Sequence, residues 1–555
     1  MHKNTIPPIV ITAAATATTF YGLYALARIG CGISSFIFIA AIASAIVLTV
    51  FLTVIPAIAV PRRMRQHFRL HQKSERSVYR VSGALCFILY AAVGAAIGSY
   101  AETAVREKGL PPRMLTDPAE VRTIIAELAG EPVPSGYDYY RIPIRLIACM
   151  TAENGRFSAS GDAQLSVPAA LVRGTYAGGI TRIGEQTAFD GYKLLLRNTA
   201  PFTEYLQNPQ ICRFYIRGMR ILAQGRFGKT GTVFYARPVQ PLFLGWNSPF
   251  NRIRAFFRFA FMRLLYEWKE AGGLLLALLA ADKAFLPQEC IEAFRNAGLA
   301  HILALSGMHL SLIGTAALQG GKIFGHKKRA IRFSLAAVCI FVWFAGSAPS
   351  LNRALGMVFI ATAGETLGLK PSPLSVLCAT LTVHIAVYGA DAITLGFMLS
   401  YGACAGIIIF GDAVVRLAAG KIPSAAIQSV SASIGAQLFT APIVTAAIGA
   451  IPAAGIIASC IAGPLISFFL IAGLAAIPLA FAFPPIGLVL AYGLNLLYTI
   501  IFTVTDFFAR FPIIVPENGI RRFIFSAAVF SGGVLLTAAA RFRDKKERQR
   551  LPRLT

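Results

Sequence analysis

Charge is scarce in this chain of 555 residues: 14% are Asp, Glu, Lys or Arg, 56% are hydrophobic, and mean hydropathy is +0.63. Soluble domains carry about 25% charged residues, so a water-soluble globular protein does not fit. Acidic residues are the scarcer sign, 25 against 52 basic ones, which leaves a net charge of +27. That excess fits either a polyanionic partner or many positive loops at a membrane, so its location decides its meaning. The nine Cys occur singly with no CxxC pair, which removes the ligand spacing of a structural zinc site. Only seven His occur, with no HExxH and no HxHxDH. No metal or cofactor is expected, and no enzymatic activity.

Long apolar runs are abundant. A span needs about 20 mostly apolar residues. Such stretches fall near 6–27, 33–60 and 81–100, and again near 299–320, 331–348, 353–369, 372–389, 393–411, 424–448, 452–480, 484–509 and 520–540. The expected fold class is a polytopic α-helical membrane protein with about twelve spans. The first run is followed at once by a second and reads as a signal anchor. Three short segments carry clustered Lys and Arg: 61–80, 321–332 and the tail 541–555. Placing all three in the cytoplasm needs no change to the span assignment. Both termini are then cytoplasmic, the protein sits in a bacterial cytoplasmic (inner) membrane, and residues 101–298 lie outside.

The expected organisation is three amino-terminal spans over 1–100, a linker over 101–136 that is helical in places, and an external domain over 137–245. Interfacial amphipathic helices over 246–298, a membrane channel domain over 299–540 and the basic tail over 541–555 follow. The external domain reads as short strands, in YRIPIRLIACM, AQLSVPAALV, YKLLLRN, CRFYIRGMRIL and TVFYARPV, which points to a small OB-like β-barrel. GRFGKTG (Gly225–Gly231) resembles a phosphate loop, but Ala223 stands where that pattern needs Gly, so a hairpin turn is the better reading. Arg213, Phe214, Tyr215, Arg217 and Arg220 interleave, as do Phe234, Tyr235 and Arg237. Such residues could stack and neutralise a single strand, or form an ordinary solvated face. Cys149 and Cys212 fall in different strands and are either a disulfide or two buried thiols. In the run 250–268, Phe250, Ile253, Phe257, Phe261, Leu264, Leu265 and Trp268 share one helical face, with Arg252, Arg258 and Arg263 off it.

The chemically dense stretch is 277–314. Asp282, His301, Ser306 and His309 invite a triad reading, but no GxSxG elbow is present and the polar residues lead straight into a predicted span. Intramembrane ionisable groups usually face a bundle interior or a watery path, and those are the preferred roles here.

HILALSGMHLSLIG, with His301, Ser306, Gly307 and His309, resembles the signature of the ComEC family of DNA-uptake channels. The lead-in ending ADKAFLPQECIEAFRNAGL resembles the family's GD-containing segment, with Ala281 for Gly before Asp282. SAPSLNRALGMV matches its next segment through Pro349, Ser350, Arg353 and Ala354. GFMLSYGACAGIII matches another through Gly396 and Ser400, with Met398 for Gln. A last segment keeps Gln437 and Pro442, with Ser459-Cys460 where Asn-Leu is common. The resemblance implies a channel passing one DNA strand into the cytoplasm in natural transformation. It also implies partners: single-stranded DNA, membrane lipid, an extracytoplasmic DNA receptor, and a cytosolic ATPase or strand-binding proteins. Many relatives end in a metallo-β-lactamase-like domain. This chain ends at Thr555 soon after its last predicted span, so a separate nuclease is expected.

A polyanion cannot cross bare hydrocarbon, yet no Lys or Arg lies between Lys421 and Arg510. The expected lining is therefore hydroxyls, amides, backbone groups and helix ends, with few cations such as Arg353. Breaks are expected at Pro442, Pro452, Pro464 and Pro484-Pro485, either exposing backbone to a cavity or merely kinking helices. A secondary transporter of a small solute is the alternative. It predicts internal repeats, which are not detected, and leaves the external barrel without a role.

Overall fold

The computed structural model describes residues 8–28, 92–103, 112–168 and 217–550, short interruptions aside. The predicted span 33–60, the basic segment 61–80, the strand YKLLLRN, and Cys212, Arg213, Phe214 and Tyr215 lie outside the described residues. Among the described residues, two helices come first, α1 (Pro8–Arg28) and α2 (92–103). They touch closely: a Cβ at Gly94 would lie 2.4 Å from the carbonyl oxygen of Thr12.

Eight strands follow among the described residues: β1 (Arg113–Met114), β2 (Val121–Leu128), β3 (Val133–Pro134), β4 (Tyr139–Thr151), β5 (Arg156–Pro168), β6 (Met219–Phe227), β7 (Val233–Ala236) and β8 (Leu242–Trp246). β4 pairs with β5, β5 with β7, β7 with β6, β6 with β2, and β2 returns to β4. All five pairings are antiparallel except β5 with β7. β4 alternates strictly over its first half, burying Ile142, Ile144 and Leu146 and exposing Arg141, Pro143 and Arg145. The buried set packs with Val121, Ile124, Leu128, Leu165, Ile221 and Phe234. Gly225 lets β7 approach, since a Cβ there would lie 2.1 Å from the carbonyl oxygen of Tyr235.

β2 corrects the reading of 101–136 as a partly helical linker. Val121, Ile124, Ile125 and Leu128 sit at helical spacing, and Ala and Glu favour helix. Pairing on both sides, to β4 and β6, overrides that local pattern. A fragment starting at residue 137 would lack this central strand. The GRFGKTG run is the β6–β7 turn: Gly228 and Val233 bond across it, and Gly231 takes φ +67°.

The helical region runs through α3 (Pro249–Glu267), α4 (Lys269–Ala280), α5 (Gln288–Asn296), α6 (Gly307–Lys322), α7 (Lys327–Ala345) and α8 (Pro349–Thr366). Then come α9 (Pro373–Val387), the short α10 (Gly389–Ala392), and α11 (Leu395–Gly406). α11 continues through a π turn over Ile407–Gly411 into α12 (Asp412–Ala418). α13 (Ser424–Ala447), α14 (Gly455–Ala482), α15 (Pro484–Ala509) and α16 (Gly519–Arg550) complete it. Among the described residues, four helices are long and apolar enough to cross a membrane: Leu395–Ala418, Ile427–Ala447, Gly455–Ala482 and Pro484–Ala509. Pro373–Val387 and Ile524–Ala540 are shorter apolar helices. α6, α7 and α8 overlay three further predicted spans but are shorter or less apolar.

Two of the expected proline breaks separate elements, at Pro452 and at Pro484, which opens α15. α13 and α14 instead run through Pro442, Pro464 and Pro478. The predicted apolar face of α3 is split. Phe250, Ile253 and Phe257 are exposed, while Phe261, Leu265 and Trp268 join the core. Beyond it, Ala271–Ala280 of α4 are all buried, so α4 is a core helix and not a surface one. Arg254 and Arg258 are buried because they serve the end of α7. Arg254 Nε donates to the Trp343 carbonyl at 2.8 Å and Arg258 Nη1 to Ala345 at 3.2 Å. Cations belong at that negative end of the helix dipole.

Candidate functional site: a polar junction where helices begin

Ser306 caps α6, and His309 is its third residue, an arrangement that makes a reciprocal capping box. The Ser306 N–H donates to His309 Nδ1 at 3.0 Å, and Ser306 Oγ lies 3.0 Å from the same nitrogen. A nitrogen that accepts a backbone N–H carries no proton, so neutral His309 holds its hydrogen on Nε2. His309 is fully buried.

α8 starts beside this cap, with Pro349 at its first position. Ser350 Oγ donates to the Leu305 carbonyl, which ties α8 to the turn before α6. One turn on, Arg353 Nη1 donates to the Ser400 carbonyl of α11 at 2.8 Å, and its guanidinium also meets the Cys404 thiol. Gly307 makes room for it: a Cβ there would lie 3.2 Å from Arg353 Nη2. His309 Nε2, Arg353 Nε and Ser400 Oγ are buried at this junction without a hydrogen-bond partner.

The other flank is made by glycine. Gly298, at φ +79°, brings its chain within 2.9 Å, by added Cβ, of the Gly455 Cα that opens α14. His301 Nδ1 lies 3.1 Å from the Gly298 carbonyl. A Cβ at Gly455 would lie 3.4 Å from Gln437 Nε2 on α13. Met308 Sδ accepts from Ser467 of α14 at 3.6 Å. Ser306, Gly307, His309, Ser350, Arg353 and Ser400 are thus brought together, with His301 and Gln437 beside the adjoining Gly298–Gly455 contact. Asp282 is buried just past α4 and is bonded within the fold. Gly396 faces open space, and Pro442 sits within α13, where the nearby Thr445 bonds the Ala441 carbonyl and Ser526.

Ala281, which the resemblance places at a Gly position, has a backbone that suits Gly. It ends α4 at φ 56°, ψ 21°, the left-handed cap conformation that favours Gly.

Sequence reasoning missed a second polar group directly behind Arg353. His384, on α9, places Nε2 3.1 Å from Asp391 Oδ2 and Nδ1 3.1 Å from the Tyr401 hydroxyl. Asn352 Nδ2 reaches the same Asp391 oxygen at 3.4 Å. The signal was present: His384 is an ionisable residue inside an apolar run, with Asp391 seven residues on.

On the sheet, Tyr235 and Arg237 line a cleft of about 350 Å³ with Arg122, Gly225, Arg226 and Ala236. Arg122 and Arg226 were not foreseen. Arg226 and Tyr235 are cross-strand partners. Arg220 is exposed on the same strand, Arg217 sits in the turn before it, and Phe234 is fully buried against Phe227. Cys149 is a free, buried thiol whose Sγ lies 3.9 Å from the Phe157 carbonyl, and burial raises its pKa.

These features define a helical membrane protein with a sheet-rich amino-terminal part and polar contacts inside its helical region. Residues 278–543 match the family model described as Competence protein. A 141-residue stretch is 23% identical to ComE operon protein 3 of Bacillus subtilis (strain 168), covering 25% of this chain and 18% of that protein. Both matches support a ComEC-family competence protein, with the family model falling on the carboxy-terminal part of the chain. No solved structure matches it.

Proposed function

We propose that this protein is an inner-membrane channel that admits single-stranded DNA to the cytoplasm during natural transformation, and that it is not an enzyme. The observation that carries this reading is the polar junction inside the family-matched helices. Ser306, His309, Ser350, Arg353 and Ser400 gather where α6 and α8 begin. Helix amino termini carry partial positive charge and favour anions. They supply what side chains do not, since no Lys or Arg lies between Lys421 and Arg510. Weak, distributed attraction suits conduction, because a tightly held strand would not move.

The reading has about twelve spans, both termini inside, and the sheet outside as an OB-like barrel. The closed circuit of five strands with one parallel pairing supports the barrel. The arginine-lined cleft is then a first contact for the strand. Partners in this reading are an external DNA receptor, a separate nuclease, and a cytosolic ATPase or strand-binding proteins. An inside-negative potential opposes each phosphate by up to about 2.3 kcal/mol per 100 mV, so a source of work is required.

The test is single alanine substitution at His301, Ser306, His309, Arg353 and Gln437, with membrane expression matched and labelled DNA followed into cells. Loss of uptake with retained expression is expected, strongest at Arg353. Full uptake in all five variants would overturn the proposal.

A further inference from the structure

Neutral His384 has one arrangement that satisfies both neighbours. A carboxylate only accepts, so Nε2 carries the hydrogen and donates to Asp391. Nδ1 then has a lone pair and accepts the Tyr401 O–H. The ring is enclosed by Phe397, Tyr388 and Tyr401, with centroids 5.0, 5.9 and 5.9 Å away, and its side chain is 3% exposed. Asp391 is 27% exposed and gives the buried ring a route to water.

We propose that His384, Asp391 and Tyr401 form a proton-binding site that controls how Arg353 is anchored. One proton from water adds to Nδ1, and the His384–Asp391 pair goes from net −1 to neutral. Both ring nitrogens then donate. Tyr401 must turn from donor to acceptor, and its own hydrogen must find a new partner. Tyr401 directly follows Ser400, whose carbonyl holds Arg353. Asp391 also holds Asn352, the residue before Arg353. A single protonation therefore acts on two ties of α8, one to α10 through Asn352 and one to α11 through Arg353. The titratable groups against His384 are Asp391 on α10, Tyr388 before it and Tyr401 on α11, and Tyr401 in turn meets the charge or hydroxyl of Arg353 on α8, Cys404 on α11 and Tyr21 on α1. Tyr21 donates to the Ala392 carbonyl at 2.8 Å and braces the Asp391 turn.

The site stands on its own geometry; only its coupling to transport rests on the proposed function. The full chain in lipid nanodiscs is unfolded thermally across about pH 5–8, the range in which histidines titrate. Wild type should show a step in Tm against pH that His384→Gln lacks. Gln keeps one donor for Asp391 and one acceptor for Tyr401, so it mimics the neutral ring and should fold. Asp391→Asn should move the step to lower pH, because the imidazolium loses its carboxylate. An identical step in wild type and His384→Gln would overturn the site. In proteoliposomes, the ratio of single-stranded DNA uptake at pH 6 to that at pH 7.5 should differ from one in wild type and return to one in His384→Gln. An unchanged ratio in the variant would overturn the coupling. Absence of uptake in wild type would count against the channel reading, with the thermal measurement still deciding the proton site.

Discussion

The sheet buries a nearly apolar interior around Ile124, Leu128, Ile142, Leu165 and Phe234, with Ser166 as its buried polar residue, and sends Arg145, Arg220 and Arg226 outward. The helical region buries polar groups along with its apolar core and turns large apolar side chains outward. It buries His309, His384, Thr380, Thr382, Ser431, Thr445 and Thr505, and exposes Phe468, Phe481, Leu488 and Val489. The solvents differ, and each surface follows its own. Against water, a basic strand face is inexpensive and can meet a polyanion at once. Against lipid, polar groups must go inside, and they meet a polyanion only if the helices enclose its route. In the proposed function, the contrast divides recognition from passage.

Arg353 is the sharpest way to break that contrast, because it is a cation in the region where cations are fewest. Arg353→Ala should reduce DNA uptake by at least about tenfold, the scale of one lost charge-assisted contact. Arg353→Lys should recover only part of it, since a point charge cannot hold the Ser400 carbonyl and the Cys404 thiol in the same fork. The measurement is uptake at matched membrane expression. Equal uptake in wild type and Arg353→Ala would remove the junction from the path.

Packing within the bundle comes next. A Cβ at Gly406 would lie 2.2 Å from the Gly435 carbonyl oxygen, so α11 and α13 meet backbone to backbone where α11 passes into its π turn. Gly406→Val should destabilise the protein by about 1–3 kcal/mol, the usual cost of overpacking. Lower Tm in nanodiscs would register it.

How much of this was legible follows the same division. Long apolar runs announced α13, α14 and α15, because a span's signal is its composition and needs no partner. β4 and β7 were readable from alternation, and the GRFGKTG turn from its glycines. β2 was not, since its Val121, Ile124, Ile125 and Leu128 spacing is helical and only the pairing with β4 and β6 decides otherwise. In the site, the motifs brought Ser306, Ser350 and Arg353 to notice. His384 escaped because its role depends on Asp391 and Tyr401, whose approach is set by tertiary packing.

On the sheet, the effect should be smaller and salt-dependent. Exchanging Arg122, Arg226 and Arg237 together for Gln in the full chain should weaken single-strand binding at low salt. The slope of log affinity against log salt should fall by about 0.7 for each lost phosphate contact. Tyr235→Ala should weaken binding with little change in slope, since stacking releases no counterions. An unchanged slope in the triple variant would mean that the cleft at Arg122, Arg226 and Arg237 does not touch the strand.

The smallest effect is expected at Ala281, and it runs in the opposite direction. Ala281 holds φ 56° at the end of α4, a conformation that costs an L-residue with a Cβ roughly 1–2 kcal/mol. Removing the methyl group relieves that strain. It also frees the unfolded chain, which returns up to about 1 kcal/mol of the gain. Strain relief outweighs that loss, so Ala281→Gly should raise stability by up to about 1 kcal/mol. The change lies just before buried Asp282 and adds no polar group, so uptake should match wild type. A lower Tm in Ala281→Gly would show that the methyl group packs usefully there, and that the α4 cap is held by its core contacts more than by backbone preference.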